Sequence, residues 1–127
     1  MIINGIGVDI VENKRIKNLI KDKNFILRIF TKNEIKNSIK IKDKTNYFAK
    51  RFAAKESLSK AIGTGFRKSL KFKDIGISND IYGKPYFKLN NNAKKLISSK
   101  FKIKKFKISL SLADEKKYSI AFSVIHK

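Results

Sequence analysis

The chain has 127 residues, a length that suits one domain, residues 1–127, with a core of modest size. Its apolar fraction of 42% is that of a globular protein and excludes a disordered basic tail. The 31 Lys and Arg against 10 Asp and Glu give a net charge of +21. Such a charge attracts nucleic acid, acidic proteins, phosphorylated metabolites or an anionic membrane surface. Only four of the cations are arginines, so part of the charge also fits a lysine-rich solvated surface.

Several absences narrow the possibilities. The chain has no cysteine, which excludes disulfides, thiolate metal sites and a cysteine nucleophile, and His126 is its single histidine. No apolar run approaches the roughly 18 residues of a membrane span. The first residues lack the layout of a signal peptide, and we therefore expect a cytoplasmic protein.

The first half of the chain predicts one strand followed by helices. Residues 2–11 alternate, with an apolar face at Ile6, Val8 and Ile10 that suits the core and a second face of glycines and Asp9 that is open to a ligand. Apolar spacing predicts a helix over residues 13–23. A capping box at residues 31–34 begins another short helix, with Ile35 and Ile39 directed inward.

The second half predicts one long helix and two strand pairs. Residues 45–62 are rich in alanine and are followed by Gly63, so they predict a helix that stops there. Strands are expected at 70–78 and 84–89 around the turn 79–83, and a short helix at 91–99. Residues 106–112 and 118–125 alternate and predict a hairpin. This order predicts an α+β fold with a small, mainly antiparallel sheet packed against helices.

Two carboxylates stand out within these elements. Asp9 lies in an alternating strand, where it is either exposed near the strand end or functional. Glu56 lies in the alanine-rich helix, with Phe52, Ser59, Lys60 and Gly63 on the same face. It either forms a helical pair with Lys60 or joins Asp9 in binding Mg²⁺, a cation that uses few protein ligands.

Other residues suit phosphate, although each also has a structural explanation. The turn Gly63-Thr64-Gly65 beside Lys60 either ends the helix or binds phosphate through its amides. Ser109 and Ser111 either donate to phosphate or face water. The turn before Pro85 needs no ligand to explain it. The lysines of 94–107 lack interleaved exposed aromatics, which favours a solvated surface over a platform for stacking bases.

Four stretches of the sequence together resemble one family. They are GIGVDIVENKRI (5–16), RFAAKESLSKAIGTG (51–65), DIGISND with GKP (74–80 and 83–85) and ISLSLADEKKYSIAF (108–122). They resemble the small bacterial holo-[acyl-carrier-protein] synthases, which are 4′-phosphopantetheinyl transferases. The resemblance runs nearly end to end. It implies a homotrimeric enzyme that transfers 4′-phosphopantetheine from coenzyme A to a serine of apo-acyl carrier protein in fatty acid biosynthesis.

The resemblance also implies roles for individual residues. Asp9 and Glu56 match the Mg²⁺ ligands and, with Lys60, the catalytic residues. The coenzyme A contacts match Arg51, Phe52, Lys55, Ser59, Lys60, Gly63, Thr64, Gly65, Pro85, Ser109 and Ser111. The surface that binds the acidic carrier protein matches Arg15, Lys17, Ile20, Lys21 and Arg28. The excess of cations in residues 14–44 fits the same partner.

One position departs from the family pattern. The family usually has His after Ser-x-Ser/Thr, where this chain has Leu112. One alternative is therefore a transferase-like protein with impaired activity. Another, from charge alone, is a basic nucleic-acid-binding protein, which would bind with a steep dependence on salt.

Overall fold

A computed structural model describes residues 1–67 and 69–127. In chain order the elements are β1 (Ile3–Glu12), α1 (Asn13–Leu19), α2 (Lys23–Ile29), α3 (Lys32–Ser38), α4 (Lys44–Ile62), a 3-10 turn (Phe72–Asp74), β2 (Ile75–Asn79), β3 (Pro85–Leu89), α5 (Asn91–Phe101), β4 (Lys107–Asp114) and β5 (Tyr118–His126). The α+β prediction is confirmed. Within the described residues, no helix combines the length and hydropathy that a bilayer span requires.

The strands form two antiparallel sheets. One has the order β1-β5-β4, and the other is the pair β2-β3. Both predicted strand pairs are confirmed, since β4 and β5 form one hairpin and β2 pairs with β3. The sequence did not predict that β1 would pair with β5, which places Asp9 opposite Ala121.

Helix α4 is the central element of the core. Most of its side chains are buried, and it packs against β1, β5, β4, β2 and α1. Alanines such as Ala53, Ala54 and Ala61 let these neighbours approach closely. The helix ends at Gly63, whose φ of 86° is left-handed, as the sequence predicted.

The prediction for the faces of β1 is wrong. Its glycine face packs against α4, because a Cβ on Gly5 would lie 2.1 Å from the Ala61 carbonyl oxygen and one on Gly7 would lie 1.9 Å from that of Ser57. The apolar face points away from α4, leaving Ile6 61% exposed. Strand β1 needs glycine on this side because the helix backbone fills the space where side chains would lie.

Three other boundaries differ from the sequence predictions. The helix expected over 13–23 ends at Leu19, and α2 begins separately with the Asp22 carboxylate accepting from the Asn24 N–H. Strand β2 begins at Ile75 because Asp74 accepts from the Lys71 N–H and closes the 3-10 turn. The capping box of α3 is confirmed, but Ile39 lies beyond the helix and is 74% exposed.

Candidate active site

The contact of β1 with α4 brings Asp9 and Lys60 together. The Lys60 Nζ lies 3.0 Å from the Asp9 Oδ1 and donates to the Val8 carbonyl oxygen at 3.1 Å. The Asp9 side chain is only 15% exposed, whereas that of Lys60 is 54% exposed. Among the described residues, the ion pair of Lys60 is with Asp9 and not with Glu56, the helical partner that the sequence also allowed.

Glu56 lies one helical turn before Lys60 and is half-buried. Burial raises the pKa of its carboxyl, and the negative charge of Asp9 raises it further, while Lys60 and Arg15 act in the opposite direction. Arg15 comes from α1, with its guanidinium 5.7 Å from the centroid of the buried Phe52 ring. Two carboxylates and two cations from three elements therefore meet at one site.

The donor set at this site fits a hard divalent cation. In the part of the chain that the structure describes, no three His, Asp or Glu residues are grouped to hold a metal. Asp9 and Glu56 are two carboxylates near each other, since the negative charge of Asp9 contributes to the raised pKa of Glu56. Mg²⁺ suits such a pair because it binds through one or two carboxylates and completes its octahedron with water and phosphate oxygens.

The turn after α4 presents a polar group without a partner. The N–H groups of Gly63 and Gly65 both donate to the Ser59 carbonyl oxygen, at 3.0 and 3.4 Å. The Oγ1 of Thr64 is buried and has no hydrogen-bond partner within residues 1–67 and 69–127. Buried polar groups are normally paired, so this hydroxyl is suited to a ligand. Ser59 itself is buried, and its hydroxyl already donates to the Glu56 carbonyl oxygen.

Arg51 lies in a separate pocket of about 380 Å³, whose lining includes Pro85 and Leu112. Its guanidinium carbon lies 3.6 Å from the Tyr47 ring centroid, and its Nη2 donates to the Asn79 Oδ1 at 2.8 Å. The buried Nε has no acceptor among the described residues. The structure thus places Arg51 and Pro85 in the lining of one pocket, and the expectation that both contact coenzyme A stays a prediction.

Lys55 does not reach the surface. Its side chain is fully buried, and its Nζ lies 2.7 Å from the Glu34 Oε1 and also bonds the carbonyl oxygens of Phe72 and Ile75. Burial lowers the pKa of this ammonium, and the Glu34 carboxylate opposes that shift. The geometry corrects the expectation of a direct coenzyme A contact, since all three N–H groups of Lys55 are used inside the protein.

Ser109 and Ser111 lie away from the Arg51 pocket. Both are exposed on the outer face of β4, opposite the face where Leu112 lies half-buried. The Ser109 hydroxyl contacts the His126 Nε2 at 3.0 Å. Within one chain, the structure therefore does not bring these serines to Arg51 or Asp9.

The residues expected at a carrier-protein surface lie on and after α1 and on α2. Arg15, Lys17, Lys21 and Arg28 are exposed, and Ile20 is half-buried against the core. Arg15 belongs to this surface, and its positive charge acts to lower the pKa of Glu56. The surface therefore extends to the two carboxylates.

Sequence reasoning missed several residues that shape the site. Tyr47, on which Arg51 stacks, lies four residues earlier in α4, a spacing that predicts a shared face. Asp114, at the end of β4, accepts from the Asn46 side chain at 2.6 Å and lines the Arg51 pocket. No local signal indicates Asn79, because its contact with Arg51 joins residues 28 positions apart.

Comparison with known proteins identifies the family. The family model of the 4′-phosphopantetheinyl transferase superfamily matches residues 5–123. The chain belongs to this superfamily. Among its curated relatives is a holo-[acyl-carrier-protein] synthase of Pelagibacter ubique, 53% identical over 127 residues, covering 100% of this chain and 99% of the relative. Another, from Orientia tsutsugamushi (strain Boryong), is 49% identical and covers 97% of this chain and 96% of the relative. The expectation of an enzyme of the holo-[acyl-carrier-protein] synthase type is confirmed.

Solved structures of phosphopantetheinyl transferases share the fold. The holo-[acyl-carrier-protein] synthase of Neisseria meningitidis has a TM-score of 0.89 at 42% identity and covers 100% of both chains. That of Bacillus anthracis, solved in complex with CoA (3′,5′-ADP), has a TM-score of 0.83 at 34% identity and covers 100% of this chain and 99% of the other.

Proposed function

We propose that this transferase moves 4′-phosphopantetheine from coenzyme A to a serine hydroxyl of an apo-acyl carrier protein in fatty acid biosynthesis. The serine Oγ forms a bond to the phosphorus that carries pantetheine, the pyrophosphate P–O bond breaks, and adenosine 3′,5′-bisphosphate leaves. The observation that carries the proposal is the meeting of Asp9, Glu56 and Lys60 where β1 crosses α4. The coenzyme A bound to the Bacillus anthracis relative, which shares the fold, supports the choice of donor.

Asp9 and Glu56 are the residues that would hold Mg²⁺. When bound there, Mg²⁺ neutralises negative charge on the pyrophosphate and on the leaving phosphate. Lys60 has three N–H donors, of which Val8 and Asp9 occupy two. The remaining N–H faces solvent and can bind a phosphate oxygen where negative charge develops.

The serine hydroxyl must also lose its proton. Glu56 is our choice of acceptor, through an intervening water, because burial and Asp9 raise the pKa of its carboxyl and so favour proton uptake. Arg15, on the proposed carrier-protein surface, influences the charge of the same carboxylate. Docking of the acidic carrier on Arg15, Lys17, Ile20, Lys21 and Arg28 would thus bring its serine toward Glu56.

Two of the three unpaired buried polar groups, those of Thr64 and Arg51, indicate where the rest of coenzyme A binds. The Thr64 hydroxyl, in the turn just after Lys60, suits a phosphate oxygen. The Arg51 guanidinium, whose Nε is unpaired, comes from a residue that lines the pocket with Pro85, and this pocket suits the nucleotide end. Three of the residues expected to contact coenzyme A are buried: Phe52, Lys55 and Ser59. We propose that they hold the contacting residues in position and do not touch the ligand themselves.

The outer face of the β1-β5-β4 sheet suggests how copies assemble. Ile6, Val8, Ile10, Ile120 and Phe122 are all exposed on this face. Such a contiguous apolar surface is typical of an interface, and we propose that it packs in the homotrimer expected for the family. A shallow pocket on this face contains Lys60 beside Val8 and Phe122, so the interface would border the active site.

The transfer is tested by incubating the protein with coenzyme A, Mg²⁺ and apo-acyl carrier protein and weighing the carrier by mass spectrometry. We expect a gain of one phosphopantetheine, which is lost on chelation of the metal. Asp9→Ala and Glu56→Ala should each abolish the gain while the circular dichroism spectrum stays unchanged. Glu12→Ala, an exposed carboxylate on the same strand as Asp9, is the matched control and should keep full activity.

Each alternative makes a different prediction in the same assay. No mass gain with coenzyme A still bound would favour the transferase-like protein impaired by Leu112. Steeply salt-dependent binding of RNA without transfer would favour the nucleic-acid-binding protein. Full Mg²⁺-dependent transfer by Asp9→Ala or Glu56→Ala would remove the metal assignment while leaving the reaction in place.

A further inference from the structure

A second concave region lies apart from the candidate active site. It is a cleft of about 870 Å³ between β3, α5, β4 and the end of β5. None of Asp9, Glu56, Lys60 or Arg51 lines it. Ligand pockets commonly have volumes of roughly 300–1,000 Å³, so this cleft is large enough for a small molecule.

The floor of the cleft is apolar and comes from both sheets. Four hydrophobic side chains form it, those of Phe87, Leu89, Phe106 and Ile108, and the exposed Met1 also lines the cleft. All four are half-buried, packed against the core on one side and facing the cleft on the other. Because β3 and β4 belong to separate sheets, no backbone ladder closes the gap between them. The cleft is open to solvent on one side, so a ligand can reach its apolar floor.

The rim of the same cleft is strongly basic. Its lysines are Lys94, Lys104, Lys105, Lys107 and Lys127. All are exposed, none forms an ion pair among the described residues, and no Asp or Glu lines the cleft. Most of this rim belongs to the lysine cluster of residues 94–107, to which the proposed transfer reaction gives no role.

We propose that this cleft binds the anion of a single-chain fatty acid. The apolar floor matches the hydrocarbon tail, and the lysine rim matches the carboxylate in charge. A neutral lipid would leave the rim without a partner, and a purely polar anion would leave the floor exposed to water. Both halves of the cleft are used only by a ligand that is apolar at one end and negative at the other. The inference is independent of the transfer reaction, since the two sites share no residue.

Chain length is the variable that tests the floor. Isothermal titration calorimetry is done with octanoate, decanoate and dodecanoate below their micelle concentrations. We expect the dissociation constant to fall by about tenfold for each two methylenes added. Decan-1-ol, which has the same tail without the charge, should bind several-fold more weakly than decanoate. Affinity that does not depend on chain length would overturn the proposal, because it would indicate simple adsorption of anions to lysines.

The rim is tested with two variants of equal charge change. Lys104→Glu with Lys105→Glu reverses two exposed rim cations and should weaken decanoate binding at least tenfold. Lys32→Glu with Lys36→Glu, on the exposed side of α3 outside the cleft, should leave the affinity within twofold. Equal losses in both double variants would overturn the site, since net charge alone would then explain binding. Tighter binding of an acidic peptide than of dodecanoate would also overturn it and would favour a protein segment as occupant.

Discussion

Lys55 illustrates how a residue in the middle of a functional motif can serve the fold. Its ammonium is fully buried and bonds Glu34, whose carboxylate also accepts from the N–H groups of Thr31 and Ile77. These bonds join α4 to the start of α3 and to β2. A buried pair of this kind is costly to break, because the remaining charge keeps its burial and loses its partner.

We therefore expect Lys55→Met to lower the free energy of unfolding by about 3–5 kcal/mol. The double variant Lys55→Met with Glu34→Leu removes both charges and should lose clearly less stability than the sum of the two single variants. Urea unfolding followed by circular dichroism measures all of them. A Lys55→Met protein as stable as the wild type would show that the pair contributes nothing net to the fold.

At the scale of elements, the active site depends on how closely β1 approaches α4. Gly5 and Gly7 allow strand and helix backbones to touch, and the same approach holds Asp9 against Lys60. The glycines of this motif thus have a packing role, because a side chain at either position would overlap the backbone of α4. The Ser57 and Ser123 hydroxyls bond each other across the same layer, which ties β5 to the helix as well.

Gly7→Ala should separate the strand from the helix. The new methyl would overlap the Ser57 carbonyl oxygen, a backbone atom that cannot move aside by changing a rotamer. We expect a loss of at least about 1–3 kcal/mol in unfolding free energy and a drop in transfer activity, since Asp9 shifts with the strand. A Gly7→Ala protein with the stability and the activity of the wild type would contradict this account of the motif.

The sequence predicted the type of most elements but not which side of each would face inward. The bounds of α4 were predicted to within one residue at its start, because alanine content and Gly63 are local signals. The alternation of β1 was also correct, yet its core face was inverted. Alternation defines two faces, and only the partner element decides which is covered. The contacts of Arg51 with Asn79 and of Lys55 with Glu34 were missed for the same reason, since they join distant segments.

At the scale of the whole molecule, a large positive charge coexists with an exposed apolar sheet face. Each copy brings +21 to any assembly, so association must overcome repulsion between copies. The apolar face supplies an attraction that salt does not screen, whereas salt weakens the repulsion. A trimer held in this way should become more stable as ionic strength rises, the reverse of what is expected for binding of the acidic carrier protein.

Val8→Lys tests the apolar face directly. Val8 is 54% exposed and lies opposite Phe122 in the sheet, so the substitution puts a charge in the middle of the face without disturbing the core of one chain. In size-exclusion chromatography with light scattering, we expect the wild type at the mass of three chains and Val8→Lys at the mass of one. Ile81→Lys, in the exposed turn between β2 and β3, makes the same change at a residue that is 90% exposed and should remain trimeric.

Because the face borders Lys60, the monomeric variant should also lose most of its transfer activity. A Val8→Lys protein of unchanged mass would exclude this face as the interface, and a monomeric variant with full activity would place the complete active site within a single chain.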